Sequence, residues 1–241
     1  MMKRLRVVGI GLAVAGLGFL VAGGVAYTKV QDGYGSLQAF SEVQNVTLNY
    51  NDQGQLTDRG EVEGGQAIMS LLKDDWKFPV VEADLDPNDP LVNSATEYMY
   101  QLAVISYHTL HGTQTVTLDE DVVYEGETFK AGTYEFDVDG RYWTGFDRSH
   151  PLEGPAREQA WTGTAHGLIG ELGVGAVTHS ALQMGLALAG LFAGLGLVFM
   201  FTGGGIVWAT KGKGSRIPDT IPEAFMTEST LADRKSKALV S

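Results

Sequence analysis

The chain has 241 residues, no cysteine, and 29 acidic against 17 basic side chains, a formal net charge of −12. The lack of cysteine excludes disulfides, thiol nucleophiles and Cys-ligated metals. The acidity excludes nucleic acid as a partner, since its phosphates would be repelled.

The charge is unevenly placed. Residues 28–210 hold 25 acidic and eight basic side chains, a net of −17, whereas the segment before them carries +3 and the segment from Lys211 onward +2. Lys3, Arg4 and Arg6 lie in a short basic N-terminus, residues 1–6. Val7–Tyr27 then runs for 21 residues without a charge. A helix needs about 20 such residues, at 1.5 Å rise each, to cross a hydrocarbon core of about 30 Å. A secretory signal core is shorter, roughly 7–15 residues, and ends at an Ala-x-Ala-like site. The stretch Ala22–Ala26 is a poor cleavage context, so a retained anchor is expected. Gly9 with Ala13, Gly11 with Ala15 and Gly18 with Ala22 are small residues four apart, the spacing that lets membrane helices approach closely. Beyond Tyr27, an interfacial aromatic, Val30, Tyr34, Leu37 and Phe40 keep helical spacing, predicting a stalk over 28–44.

Residues 45–153 read as an α+β domain. Val46–Tyr50 alternates as a short strand, and Asn51-Asp52-Gln53-Gly54 is turn chemistry. Gly65–Asp74 predicts a short helix through Ile68, Leu71 and Leu72. Pro79, Pro87 and Pro90 make the next stretch a loop. Ser94-Ala95-Thr96-Glu97 is a capping box opening a helix that reaches His111 before Gly112. Strands are expected at Gln114–Leu118, Val122–Phe129, Thr133–Val138 and Arg141–Phe146, with Ala131-Gly132 and Asp139-Gly140 as turns.

A second helical stalk is expected over 154–180, with Pro155 in its first turn and Trp161, Ala165, Leu168 and Leu172 on one face. Gly170, Gly173 and Gly175 weaken that pattern. Ala181–Ala209 follows, 29 residues without a charge. Gly185, Ala189 and Ala193 form one small-residue stripe, Gly190 and Gly194 another, and Trp208 is a second interfacial aromatic. Lys211, Lys213 and Arg216 then open a tail, residues 210–241, expected to be disordered. Basic residues beside a span stay cytoplasmic, so both termini are expected inside the plasma membrane and residues about 28–178 outside. The fold class is thus a membrane protein: a two-helix transmembrane hairpin with an inserted extracytoplasmic α+β domain and an antiparallel sheet. With no ionisable residue, the two spans offer no proton relay. The stalks should meet with Phe40 and Trp161 buried in their seam and with Glu42 and Arg157 on the wet side.

Candidate chemistry is sparse. His108 and His111, three apart on the predicted helix, can chelate one metal, but the Glu of a His-Glu-x-x-His zinc motif is missing. His150 and His166 would join them only through the fold. A helix C-terminus that favours cations explains the first pair equally well. Asp84, Asp86 and Asn88 copy the first three ligands of a calcium loop, and Asp89 extends the acidic run. The copy departs at Asp89, where the sharp-turn Gly belongs, and at Ala95, where the bidentate Glu belongs. No cofactor other than calcium is indicated. No Gly-x-Ser-x-Gly, Ser-x-x-Lys with Lys-Thr-Gly, or Gly-x-x-x-x-Gly-Lys-Ser/Thr arrangement occurs. Tyr142 and Trp143 are aromatics able to stack on a sugar or peptide, or to fill a core.

Ser36-Leu37-Gln38-Ala39-Phe40-Ser41 and Arg157-Glu158-Gln159-Ala160-Trp161-Thr162-Gly163, with the two-run layout, resemble small two-pass membrane proteins of actinobacteria. That group is defined by topology rather than by an assigned reaction. Some members carry a ring-opening dioxygenase label, for which these residues supply no chemistry. The expected role is a non-enzymatic accessory or scaffold subunit of a membrane complex, docking partners through its acidic domain. Its partners would be membrane lipid and a membrane protein or a second copy. An extracytoplasmic cation-binding or sensor protein is the alternative, and a membrane-anchored metal-dependent enzyme using His108 and His111 is a third reading.

Overall fold

The structure is a computed structural model and describes residues 2–211; the predicted tail beyond them, with Lys213 and Arg216, lies outside the described residues. Two helices dominate: α1, Met2–Gln44, and α5, Gly163–Lys211. Both are long and apolar enough to cross a membrane. Gly33 and Gly35 do not interrupt α1, nor do Gly170, Gly173 and Gly175 interrupt α5. The second arm breaks elsewhere, at Trp161 and Thr162, between α4 (Glu153–Ala160) and α5. Thr162 caps the new helix, its hydroxyl accepting from the Ala165 amide at 3.1 Å.

The chain divides into two compact units, one made of the segments up to Val21 and from Ala193, the other of Ala22–Phe192. In the first unit, glycine lets the two helices touch backbone to backbone. A Cβ on Gly16 would stand 2.7 Å from the Gly196 carbonyl oxygen and 2.7 Å from the Met200 amide nitrogen. One on Gly9 would stand 2.9 Å from the Gly203 carbonyl oxygen. Phe19 and Phe199 meet edge to face with ring centroids 5.7 Å apart. Gly11 and Gly18, by contrast, face open space. Val7, Val14, Leu17, Val198, Phe201 and Trp208 point outward and are exposed.

In the second unit the two long helices meet again. A Cβ on Gly185 would lie 2.8 Å from Val30 Cγ2, Gly33 abuts Leu182, and the Tyr34 and His179 rings sit edge to face at 5.6 Å. This register differs from the predicted seam. Phe40 and Leu168 are each 42% exposed, and Trp161 is buried in a different cluster. The cause is the break at Trp161 and Thr162, which stops the helical phase of Trp161 from carrying into α5.

Between the arms, Leu48 N donates to Pro90 O and Val92 N to Val46 O, so the predicted strand near Val46–Tyr50 is reduced to isolated bridges. Asn51 Oδ1 accepts from Gln53 N and Gln55 N at 3.0 and 2.9 Å and holds the predicted turn. Helix α2, Val62–Ser70, widens into a π turn at Leu71–Asp75, where Trp76 N donates to Leu71 O. Helix α3, Ala95–Leu110, opens on the predicted capping box: Glu97 N donates to Ser94 Oγ at 3.3 Å and Ser94 N to Glu97 Oε2 at 2.8 Å.

Two separate two-stranded antiparallel sheets replace the four-strand set. Strand β1, Thr113–Leu118, pairs with β4, Gly132–Asp137; β2, Val122–Tyr124, pairs with β3, Glu127–Phe129. The stretch expected as one strand over Val122–Phe129 folds back on itself because Glu125 and Gly126 both adopt positive φ, 49° and 87°. Asp139 and Gly140 also turn with positive φ, yet Arg141–Phe146 does not return as a strand. Gly140 N donates instead to Leu110 O, and Val138 N to Gly112 O, so the turn docks on the end of α3. A 3-10 turn, Trp143–Gly145, follows.

The core gathers at the two ends of α3. Leu37, Leu48, Ile68, Leu72, Tyr98 and Tyr100 gather with Leu172 and Ala176 of α5 in one cluster. Leu71, Leu110, Val138, Phe146, Ala160 and Trp161 form the other.

Replacing Gly16 with Val should destabilise the helix pair by about 1–3 kcal/mol, because a branched side chain cannot fit against the facing backbone. Gly11→Val and Gly18→Val, with open space at the same depth, should be near neutral. Unfolding midpoints of the detergent-solubilised protein compare the three.

Candidate functional site

The four predicted histidines and Asp86 have structural contacts of their own. His108 Nε2 lies 2.9 Å from Asp58 Oδ1, while exposed His111 turns its Nδ1 to the Tyr107 carbonyl at 2.9 Å and stacks on that ring at 4.2 Å. His150 sits between Tyr124 and Phe129, its Nδ1 accepting from Leu152 N at 3.1 Å. His166 packs against Trp143 and Trp161. In the acidic loop, Asp84 ends a 3-10 turn, Glu82–Asp84, and Asp86 Oδ1 accepts from both the backbone amide and the side-chain nitrogen of Asn88, each at 2.9 Å. Asp89 N donates to Asp86 O. That is an Asx turn, the arrangement this sequence adopts with its own donors. Among the described residues no three His, Asp or Glu side chains come together as a metal site would require.

The aromatic pair is also spent internally. Tyr142 stacks on Trp161 at 5.8 Å and accepts from Trp76 Nε1 at 2.8 Å. Arg157, expected on the wet side, is instead buried, its guanidinium 3.2 Å from the Trp143 ring centroid and its Nε donating to the Trp143 carbonyl. Burial is the main influence lowering its pKa. Arg141 bridges Glu153 at 3.0 Å and lies over Phe136. Nothing local to Arg157 in the sequence points to the Trp143 ring.

The residues of greatest structural consequence lie where α1, α3 and α5 meet. Ser41 Oγ and Tyr98 Oη are buried and 2.7 Å apart. The Tyr98 ring reaches Ser41 only because α5 offers a glycine there: a Cβ on Gly175 would lie 2.6 Å from Tyr98 Cδ1. Glu97, next along α3, is buried with its carboxylate on the Asn93 and Ser94 amides. Desolvation raises its pKa and outweighs those hydrogen bonds, which act to lower it. Nearby, the Tyr50 hydroxyl is buried without a hydrogen-bond partner, and burial, with the charges of Glu97 and Asp86, pushes its pKa up to about 12.

The exposed surface is acidic, most visibly around the β2–β3 hairpin. Asp119, Glu120, Glu125 and Glu127 are exposed and form no ion pair among the described residues. Asp121 is held by Lys130 at 2.7 Å, which lowers its pKa. Exposed Val123 stands among them. Such a surface can attract cationic groups and repel anions.

Comparisons with protein-family models, with curated proteins and with solved structures find no match to this chain.

Two outcomes test the junction. Tyr98→Phe and Ser41→Ala should each cost about 1–3 kcal/mol by leaving a buried hydroxyl unpaired, with the double variant costing less than their sum. Because the fold raises the Glu97 pKa, it favours the protonated acid. That contribution is full below the ordinary glutamate range and is lost as pH rises through the raised value. Glu97→Gln keeps a capping acceptor and never ionises, so its stability should gain on the wild type from about pH 4 to about pH 7 in thermal melts.

Proposed function

We propose that this chain is a two-pass plasma-membrane protein with both termini cytoplasmic, residues about 28–178 outside, and a non-enzymatic role as an accessory subunit of a membrane complex. One observation carries the reading. Two uncharged helices close on each other through glycine while the remaining circumference, from Val7 to Val21 and from Leu191 to Trp208, shows large apolar side chains. Water is a poor solvent for that surface and a bilayer is a good one. The basic residues at Lys3, Arg4, Arg6 and Lys211 favour the cytoplasmic side for both ends.

The exported part supports docking over catalysis. His108 and His150 are engaged in structural contacts, and exposed carboxylates stand on a short hairpin with an exposed apolar residue, Val123, in its first strand. A partner with a basic surface around an apolar spot complements that hairpin.

Affinity purification from detergent-solubilised membranes should return a stoichiometric companion. Glu125→Lys combined with Glu127→Lys should weaken its capture and reduce the salt sensitivity of binding. A protein that purifies alone would refute the accessory role. A reporter joined after Ser241 that is active only outside the cell would refute the topology.

A further inference from the structure

We propose that the junction of α1, α3 and α5 holds an acyl chain of an amine-headed, zwitterionic phospholipid from the adjoining leaflet. The inference rests on the membrane reading above. A cavity of about 240 Å³ opens at the junction, walled by Phe40, Val46, Val92, Ile105, Leu168 and Leu172. Its buried polar lining, Ser41 and Tyr98, is already self-satisfied at 2.7 Å, while Gln44 and Glu171 are exposed and Gln101 is half-buried. Against the buried pair a polar guest would lose its water hydrogen bonds without replacement, and a hydrocarbon guest would lose none. A water-sized group takes about 30 Å³, and a methylene is of similar size, so the space accepts on the order of eight chain carbons.

Continuity supplies the source of the guest. A shallow groove of about 550 Å³ runs between α1 and α5 from Gly33 and Thr178, and it shares Phe40 and Glu171 with the cavity. Its lower end at Thr178 stands three residues before Ala181, where the uncharged run begins. That is about 4.5 Å of helix. Phe40 and Leu168, each 42% exposed, line the cavity with apolar surface that the fold leaves in water. A chain rising from the bilayer along the Leu37, Phe40 and Val174 side of the groove covers both.

Charge selects the headgroup. Glu171 lines cavity and groove alike and has no ion partner among the described residues. With the net −17 of residues 28–210, it repels an anionic head and attracts an ammonium.

The test reconstitutes the full chain in bilayers containing phosphatidylethanolamine with a photoreactive diazirine on its acyl chain, and maps the labelled residues by mass spectrometry. Labelling is expected at Val46 or Ile105, outside the uncharged runs, as well as on the runs themselves. Ile105→Trp, which fills the cavity, should reduce Val46 labelling several-fold. Glu171→Lys changes an exposed residue and should do the same while favouring a phosphatidylglycerol probe. A several-fold loss in either variant supports the site. Labelling confined to Val7–Tyr27 and Ala181–Ala209, or Val46 labelling unchanged in both variants, overturns it and leaves the membrane reading standing. No labelling of those two runs overturns the membrane reading itself.

Discussion

The structure depends on two long helices being able to touch at the backbone. Where lipid is the surroundings, apolar side chains gain nothing by facing each other, so association rests on dispersion at close range. Gly9, Gly16, Gly196 and Gly203 provide that range in one unit, and Gly33 and Gly185 in the other. A methyl group at Gly16 would meet a carbonyl oxygen at 2.7 Å. Backbone meets backbone only in the first of these sets among the described residues; Gly33 and Gly185 receive the Leu182 and Val30 side chains, as Gly175 receives the Tyr98 ring.

The Gly175 contact ties the α+β region to the arms. Tyr98 is fixed at both ends, its ring on the Gly175 backbone and its hydroxyl on Ser41, and it stands directly after Glu97 of the capping box. The start of α3 is thereby set by local hydrogen bonds and by packing against both long helices. From there the first turns of α3 pack with Leu172 and Ala176, and its end at Leu110 packs with Val138 and Trp161. The arrangement concentrates polar consequence in a few residues and leaves most carboxylates free on the surface.

Much of this was legible in the residues. The uncharged runs, the capping box at Ser94 and Glu97, and the turn at Asn51 depend on local chemistry, and they fall where the sequence predicts them. The failures share a cause. Glu125 takes a positive φ that non-glycine residues rarely adopt, so the β2–β3 turn carried only the weak signal of Gly126. Asp139-Gly140 did turn, but the partner it found was the end of α3, which no local pattern reveals. Trp161 and Leu168 share a helical period only if α4 and α5 are one helix; Thr162 ends that period by capping. Arg157 looked like a solvated charge because its stacking partner, Trp143, lies in a turn that had been read as a strand.

Leu172 and Ala176 belong to the main core of the region that lies between the two long helices in the chain, yet they sit on α5, the last helix among the described residues to be synthesised. Until that helix arrives, Tyr98 lacks the glycine surface it packs on, and Ile68, Leu72 and Tyr100 face an incomplete wall. An emerging polypeptide therefore carries its α2, α3 and strand segments for some time with apolar surface uncovered, the state in which chains aggregate or recruit chaperones. Completion is coupled to delivery of the final helix. A ribosome stalled before residue 172 would present an unfinished domain, whereas one stalled far enough on for Ala176 to have cleared the exit tunnel would present nearly the whole core.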